Sequence, residues 1–475
     1  MSTGSDGTSA VAAGNSPPSA LRVSIVAGLI LLALLFRVAV LAVDGERLQS
    51  DPDGYVRLAR MLAAGNGYVA TDGARPTAFR PILYPLLLAV PLSVGCSPAV
   101  AVGFWNLVSG VLLVAATIGL ARLSGIRRTG IFAAGVIAAC NPLLLRYASE
   151  PMTENVSAAL TAMSLFFAGQ YLATLRTAGR PAVGRAIPLG VLLGLGALCR
   201  PVTLVTCAFL TAAFLMAALG SHSGDGRMTR RKTFGQSLLV AVLPALIAAV
   251  TVSPWIFRNA IHFGQLIPAT THGGYTLLLG NNPVFFERVV SGKQTVWDGD
   301  SLRRWQRQLH DDMQADGINP ADEVASDAWM YRRAFRVIRE QPGTALQAAV
   351  LRWRRFWALR PSATTENLPG LLTGGTAVWC VLIGVGLLGS LAELRRPGTL
   401  LRVLWLVVLS FLLVHTFYWT NTRMRAPLTG VLAVLSAAGW SFWIAGVKLQ
   451  LAVSRGGPKN GSVAVGQEAC DNAQH

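Results

Sequence analysis

Long apolar runs alternate with short arginine-bearing gaps along this chain, and the length of the runs sets the fold. Runs of roughly 18 residues or more recur, each able to cross about 30 Å of hydrocarbon as a helix. They fall near residues 22–43, 98–121, 129–146, 151–174, 187–200, 202–219, 236–257, 370–391, 402–419 and 427–447. Almost nowhere do apolar and polar residues alternate in steps of two, as the strands of a membrane barrel would. Hydrocarbon offers backbone N–H and C=O groups no partner, so these runs are expected to be helical. The pattern predicts an all-α polytopic membrane protein with about ten transmembrane helices.

The polar gaps give the orientation. Arg122/Arg127/Arg128, Arg176/Arg180/Arg185, Arg227/Arg230/Arg231/Lys232 and Arg395/Arg396 occupy four short loops that share one side if the spans are counted in order. Positive charge in short loops marks the cytoplasmic side, which places the N-terminus inside and predicts an inner (plasma) membrane protein. Residues 1–20 are rich in Ser, Gly, Ala and Pro and read as a disordered cytoplasmic tail. The run 21–43 is too long for a signal-peptide core and reads as a retained anchor. The expected order is then a transmembrane module at 21–258, an outer loop region at 259–369, C-terminal spans at 370–448 and a disordered cytoplasmic tail at 449–475.

Two long loops, 44–97 and 258–369, face outward on this count and hold most of the acids. In the first, Tyr55, Leu58, Ala59 and Leu62 form one apolar helical face, and Gly65 is placed to end that helix. Residues 83–94, behind Pro81, are too few to span and predict an interfacial or re-entrant helix. The second loop carries Gly/Asn turn signals and then a helical, Arg- and Trp-rich stretch near 320–358.

Composition sharpens this picture little. Charged residues are only 13% of the chain, about half the share of a soluble domain. The net charge of +18 could suggest nucleic acid, but its arginines sit in the gaps between spans, which excludes that partner. Six scattered cysteines form no CxxC or Cys/His spacing, so neither a disulfide framework nor a zinc module is expected.

The candidate chemistry lies at the outer ends of the spans. Asp51 precedes Pro52, and the local reading is a helix cap with Pro52 at the first helical position. A capping carboxylate is also oriented and kept ionised, as a general base needs. Arg80, before Pro81, suits either an interface anchor or a clamp on lipid phosphate. Glu154 opens the fourth span just inside the apolar run, where an acid is costly and points to function. Arg423 and Arg425 break the charge rule for a short outer loop, which points to an anionic ligand. Other signals are structural: Gly190, Gly194 and Gly196 read as helix-packing glycines, and Gly280-Asn281-Asn282-Pro283 reads as a turn. His415 and Arg37 read as paired intramembrane polar residues.

Together these pieces resemble the polyprenyl-phosphate-sugar-dependent glycosyltransferases of the GT-C fold. That superfamily includes the lipid A aminoarabinose transferases, the protein O-mannosyltransferases and bacterial core-sugar transferases. The resemblance rests on ordered short motifs: D-x-x-x-Y after the first span, P-T-A-x-R-P with Y-P, M-T-E, C-R-P, P-W-x-x-R-N, G-N-N-P, I-R-E-Q-P-G with R-F-W, and R-M-R-x-P. Ile82 and Leu83 stand where relatives often read Pro-Gly.

The resemblance implies a GT-C-like bundle with interfacial helices in the first outer loop and a helical outer segment before the last spans. It implies catalytic roles for Asp51, with Asp53 as the neighbouring alternative, and for Glu154 ahead of Glu150. Arg80, Arg258, Arg423 and Arg425 would bind donor phosphate, and Tyr55, Tyr84, Asn259, Asn281 and Asn282 would contact substrate. The implied reaction moves a sugar from a polyprenyl-phosphate donor to a lipid, glycan or protein hydroxyl, with inversion. No cofactor is required, and a divalent metal has room among the acids. Competing expectations are an O-antigen ligase or polymerase, a lipid-linked sugar transporter, and a non-catalytic subunit. A transporter predicts repeat symmetry and polar groups at the bilayer midplane, and neither pattern is present here.

Overall fold

The computed structural model describes residues 19–70, 73, 75–177, 183–220, 234–293, 297, 299–358, 370–395 and 400–455. Arg180, Arg227, Arg230, Arg231, Lys232, Arg396 and Cys470 lie outside them, as do most of the two expected tails. Helices joined by turns and irregular loops make up the described residues, with one isolated bridge between Val69 and Pro76.

The helices are α1 (Ser19–Asp44), α2 (Tyr55–Ala63), α3 (Leu83–Ser93), α4 (Pro98–Leu123), α5 (Arg128–Ala139) and α6 (Pro142–Arg146). There follow α7 (Glu154–Thr177), α8 (Val183–Cys199), α9 (Val202–Gly220), α10 (Phe234–Phe263), α11 (Gly273–Gly280) and α12 (Pro283–Phe285). The last third holds α13 (Gly299–Ala315), α14 (Glu323–Glu340), α15 (Pro342–Phe356), α16 (Gly370–Ser390), α17 (Leu400–Phe417) and α18 (Thr429–Arg455).

Among the described residues, 8 helical stretches are long and apolar enough to cross a membrane, so the protein is an all-α polytopic membrane protein. The two other expected spans fall on shorter apolar helices, Val183–Cys199 and Thr376–Ser390. The expected span at 129–146 is interrupted: Pro142 cannot continue α5, and Asn141 restarts the helix by accepting from Leu144 N at 3.2 Å. The last helix runs to Arg455, past the expected start of the tail at 449.

Small residues let the spans approach closely. A Cβ on Gly190 would stand 2.5 Å from Ile247, and one on Gly194 the same distance from Thr251, which is why α8 seats directly on α10. At Gly439 a Cβ would lie 1.7 Å from the Gly386 carbonyl oxygen, so α16 and α18 touch backbone to backbone.

The two long loops pack on each other. A second core gathers Phe285, Trp297, Trp305 and Trp329 within residues 277–348. Glu323, at the start of α14, ties this unit to the first loop: its carboxylate accepts from Thr77 Oγ1, from Ala78 N at 2.9 Å and from Thr271 Oγ1 at 2.9 Å. In the first loop α2 buries Tyr55, Val56, Leu58 and Ala59 and stops at Gly65, whose φ is +78°. Residues 83–93 form α3, short and apolar, with Leu86 and Val90 left exposed.

Candidate active site

Five separate pieces of chain meet where the first loop joins the bundle. The first is the turn before α2. Gly54 N closes it on Asp51 O at 3.2 Å, and Gly54 takes a left-handed φ of +77°. The helix therefore starts at Tyr55, three residues later than a cap with Pro52 at its first position would give. Asp51 still caps it: Oδ1 accepts from Val56 N at 3.0 Å and Oδ2 from Arg57 N at 2.9 Å. Both of its oxygens are thereby committed to α2.

Asp53, inside the turn, points instead into a cluster of arginines. Its Oδ1 accepts from Arg80 at 2.9 Å and its Oδ2 from Arg423 at 2.8 Å. Arg80 Nε also donates to the Asp53 carbonyl at 3.1 Å, and the guanidinium lies over the Tyr55 ring. Arg423 is aimed by its own turn, where Asn421 Oδ1 accepts from Arg423 N at 3.1 Å. The same guanidinium turns its Nε to Glu154 Oε1, so Arg423 bridges the two acids.

Glu154 is the first residue of α7 and is fully buried. Its Oε1 also accepts from Arg200 at 2.6 Å, and Arg200 Nε donates to Thr153 Oγ1 at 2.9 Å. Arg200 occupies the break between α8 and α9 that Pro201 enforces. The result is a chain of pairs, Arg80–Asp53–Arg423–Glu154–Arg200, with one positive charge in excess. Burial acts to raise the Asp53 carboxyl pKa, but Arg423 and Arg80 beside it outweigh that and hold it below the ordinary 3.8.

His272 completes the wall behind Arg80. Its Nε2 lies 3.4 Å from Arg80 NH1, and its ring stacks on Tyr275 at 5.1 Å. Burial, reinforced by the Arg80 charge, drives the imidazole pKa down to about 3. A guanidinium can only donate, so Nε2 is the acceptor and the single ring proton sits on Nδ1. That Nδ1 is buried without a partner, as are Tyr84 OH and Glu154 Oε2. Orphaned polar atoms are costly in an interior and mark places where a bound polar group would be welcome.

The remaining sequence candidates go elsewhere. Arg258 donates to the carbonyls of Thr77 at 2.8 Å and Tyr68 at 2.7 Å and stacks on Trp255, so it fastens the first loop to α10. Asn259 holds the Ile267 carbonyl at 3.0 Å. Asn281 donates to Leu277 and Phe417 carbonyls, and Asn282 caps α12 by accepting from Phe285 N at 2.8 Å. Arg425, two residues from Arg423, donates to Phe356 O at 3.1 Å and faces a separate cavity. Glu150 pairs with Arg146 at 3.0 Å and Arg47 at 3.3 Å, in a network of its own with Asp44.

Sequence reasoning gave Arg200 no role and passed over His272. The Cys-Arg-Pro break was a signal for the first, whereas a lone histidine before Gly273-Gly274 carried none. As to metal, three of the four oxygens of Asp53 and Glu154 already accept from guanidiniums, and no group of three or more His, Cys, Asp or Glu gathers among the described residues. In this arrangement those oxygens serve arginine.

No family model matches the chain, and no curated protein matches it by sequence. Solved structures do. The archaeal oligosaccharyltransferase AglB of Archaeoglobus fulgidus, in complex with an inhibitory peptide and a dolichol-phosphate, superposes with a TM-score of 0.53 at 16% identity. That match covers 96% of this chain and 54% of the other, so this chain spans about half the length of the oligosaccharyltransferase. The same archaeal enzyme tethered to an acceptor peptide matches with a TM-score of 0.51 at 15% identity, over 92% of this chain and 51% of that one. ArnT from Cupriavidus metallidurans, bound to undecaprenyl phosphate, gives 0.41 at 14% identity over 93% and 82%, too loose a superposition to carry an argument. The fold of this chain is therefore the one it shares with the archaeal oligosaccharyltransferase, the GT-C fold.

Proposed function

We propose that the protein is an integral membrane glycosyltransferase that moves a sugar from a polyprenyl-phosphate donor to an acceptor hydroxyl on the outer face. The observation that carries this reading is the bridging of Asp53 and Glu154 by Arg423, with Arg80 and Arg200 at either end. Three guanidiniums held in place by only two acids suit a phosphate, because fork-shaped donors match its oxygens and the surplus charge is positive. The archaeal oligosaccharyltransferase of the same fold carries a dolichol-phosphate, which is such a ligand.

In the reaction, an acceptor hydroxyl oxygen attacks the anomeric carbon while the bond from that carbon to the phosphate oxygen breaks. The electron pair goes to the departing phosphate, which Arg80 and Arg423 stabilise electrostatically. Attack from the face opposite the phosphate gives inversion. The hydroxyl proton passes to a carboxylate, and we assign it to Asp53 because Asp51 spends both oxygens on α2. In the free protein the two arginines make Asp53 a weak base. A donor phosphate competes for the same guanidiniums, which restores basicity to Asp53 when the substrate is in place. Glu154 holds Arg423 and Arg200 in register, and its Oε2, like Tyr84 OH, is buried without a hydrogen-bond partner.

The test is transfer by purified protein in nanodiscs supplied with a panel of labelled polyprenyl-phosphate sugars and lipid, glycan and peptide acceptors. Transfer with an inverted anomeric configuration, read by NMR of the product, is expected. Retention of configuration would contradict the single displacement, and the absence of transfer from every polyprenyl-phosphate sugar would contradict the reading as a whole.

A further inference from the structure

A cavity of about 240 Å³ opens between α6, α16 and the start of α18, and Tyr147, whose ring lies under the Arg423 guanidinium, is one of its lining residues. Its walls are apolar and come from membrane-crossing segments: Leu143, Ile383, Leu387 and Leu432 are among them. No carboxylate lines it, and its charged members are two arginines. Arg146 is paired with Glu150 at 3.0 Å, which leaves Arg425. Its guanidinium donates to the Phe356 carbonyl at 3.1 Å and to Cys380 Sγ at 3.4 Å, and it forms no ion pair among the described residues. Trp379 adds a second, independent mark: it lines the cavity, and its indole N–H is buried without a hydrogen-bond partner.

A half-buried cation without an acid and an orphaned N–H donor call for an anion, and apolar walls beside hydrocarbon call for a chain. One class of molecule has both. We propose that this cavity binds the phosphate-bearing head of a second membrane lipid, distinct from the polyprenyl donor, with the first part of its chain laid against α16 and α18. Resting on the transfer reading of the neighbouring cluster, this lipid is the acceptor. Arg423 and Arg425 lie on one short turn, so that turn would hold donor phosphate on one side and acceptor phosphate on the other. Charge on the acceptor lipid, rather than the shape of a peptide, would then govern acceptor choice.

Binding can be read without any transfer step, by native mass spectrometry of the full chain with dioleoyl phosphatidic acid, dioleoyl phosphatidylcholine and undecaprenyl phosphate. Gly384 lines the cavity and a Cβ there meets nothing within 4 Å, so Gly384→Leu is the variant chosen to fill the space. The expected result is selective uptake of phosphatidic acid over phosphatidylcholine, weakened at least ten-fold by Gly384→Leu and by Arg425→Gln. Undecaprenyl phosphate binding should stay within two-fold in Gly384→Leu and fall in Arg80→Gln. Equal uptake of the two glycerolipids, or phosphatidic acid binding indifferent to both cavity variants, would overturn the proposal. So would expulsion of undecaprenyl phosphate by Gly384→Leu, which would make the cavity the donor's. Loss of lipid selectivity with sugar transfer intact sinks the cavity alone; absent transfer with selectivity intact sinks only the donor reading.

Discussion

Arg423 serves two acids at once, and the consequences of losing it differ from those of losing Glu154. Removing the arginine leaves Glu154 still paired to Arg200 at 2.6 Å. Removing the acid strands Arg200 without an ionic partner, beside an Arg423 that keeps only Asp53. Breaking a buried pair from one side costs roughly 3–5 kcal/mol when the partner is stranded. Glu154→Leu is therefore expected to lower stability by several kcal/mol, and Arg423→Gln by clearly less while abolishing most activity. Denaturation in detergent decides the order, and the reverse order would refute the bridging role.

A pH experiment follows from His272. In the unfolded chain this imidazole takes a proton below about pH 6.5, whereas in the folded chain it stays neutral until about 3. Between those values the unfolded state binds more protons, so stability falls as the pH drops, by at most about 1.4 kcal/mol per pH unit. The neutral side chain of Gln does not titrate. Melting curves at pH 7 and 4.5 should show a smaller acid loss in His272→Gln than in the wild type; equal losses would place the proton differently.

At this scale the sequence was legible only in part. The spacing before Tyr55 singles out Asp51, yet it is the left-handed turn at Gly54 that sends Asp51 to the helix and Asp53 to the arginines. Two acids so close in sequence cannot be told apart by spacing alone. Arg200 meets Glu154 across 46 positions of chain, and no local pattern carries such a pairing.

Among the elements, periodicity was a good guide wherever one face alone is buried. The helix at Tyr55–Ala63 and the short apolar one at Leu83–Ser93 stand close to where apolar spacing puts them. The run at 129–146 does stand among the stretches able to cross a membrane, but the apolar pattern gave no sign of the interruption at Asn141-Pro142. The contact between the loops was also invisible, since Glu323 reaches back some 245 residues to Ala78. Arg80 lies two residues beyond Ala78, so this contact should position it. Glu323→Ala is expected to speed hydrogen exchange at Ala78 and to raise KM for donor more than it lowers kcat. Unchanged exchange would show that Arg258 alone secures the loop. Between spans, Gly439→Val should separate α16 from α18 and cost at least ~2 kcal/mol through overpacking.

For the whole molecule, the account depends on both long loops sharing one side of the membrane, opposite the short arginine loops. Their mutual packing supports this, and from the charge rule we propose that the shared side is the outer one. Single cysteines placed at Asn66 and Lys293 should react with an impermeant reagent from outside, and one at Arg127 should not. If Lys293 labels only from the cytoplasm, the orientation is wrong and the donor cannot be an outward-facing lipid. The central claim, that sugar leaves a lipid phosphate held by Arg80 and Arg423 while Asp53 takes the proton, is tested most directly by single-turnover transfer from a polyprenyl-phosphate sugar. The account predicts that Asp53→Asn slows this step by at least ~100-fold while Asp51→Asn, which can still cap α2 through its amide oxygen, keeps most of it. Full activity in Asp53→Asn with loss in Asp51→Asn would contradict it.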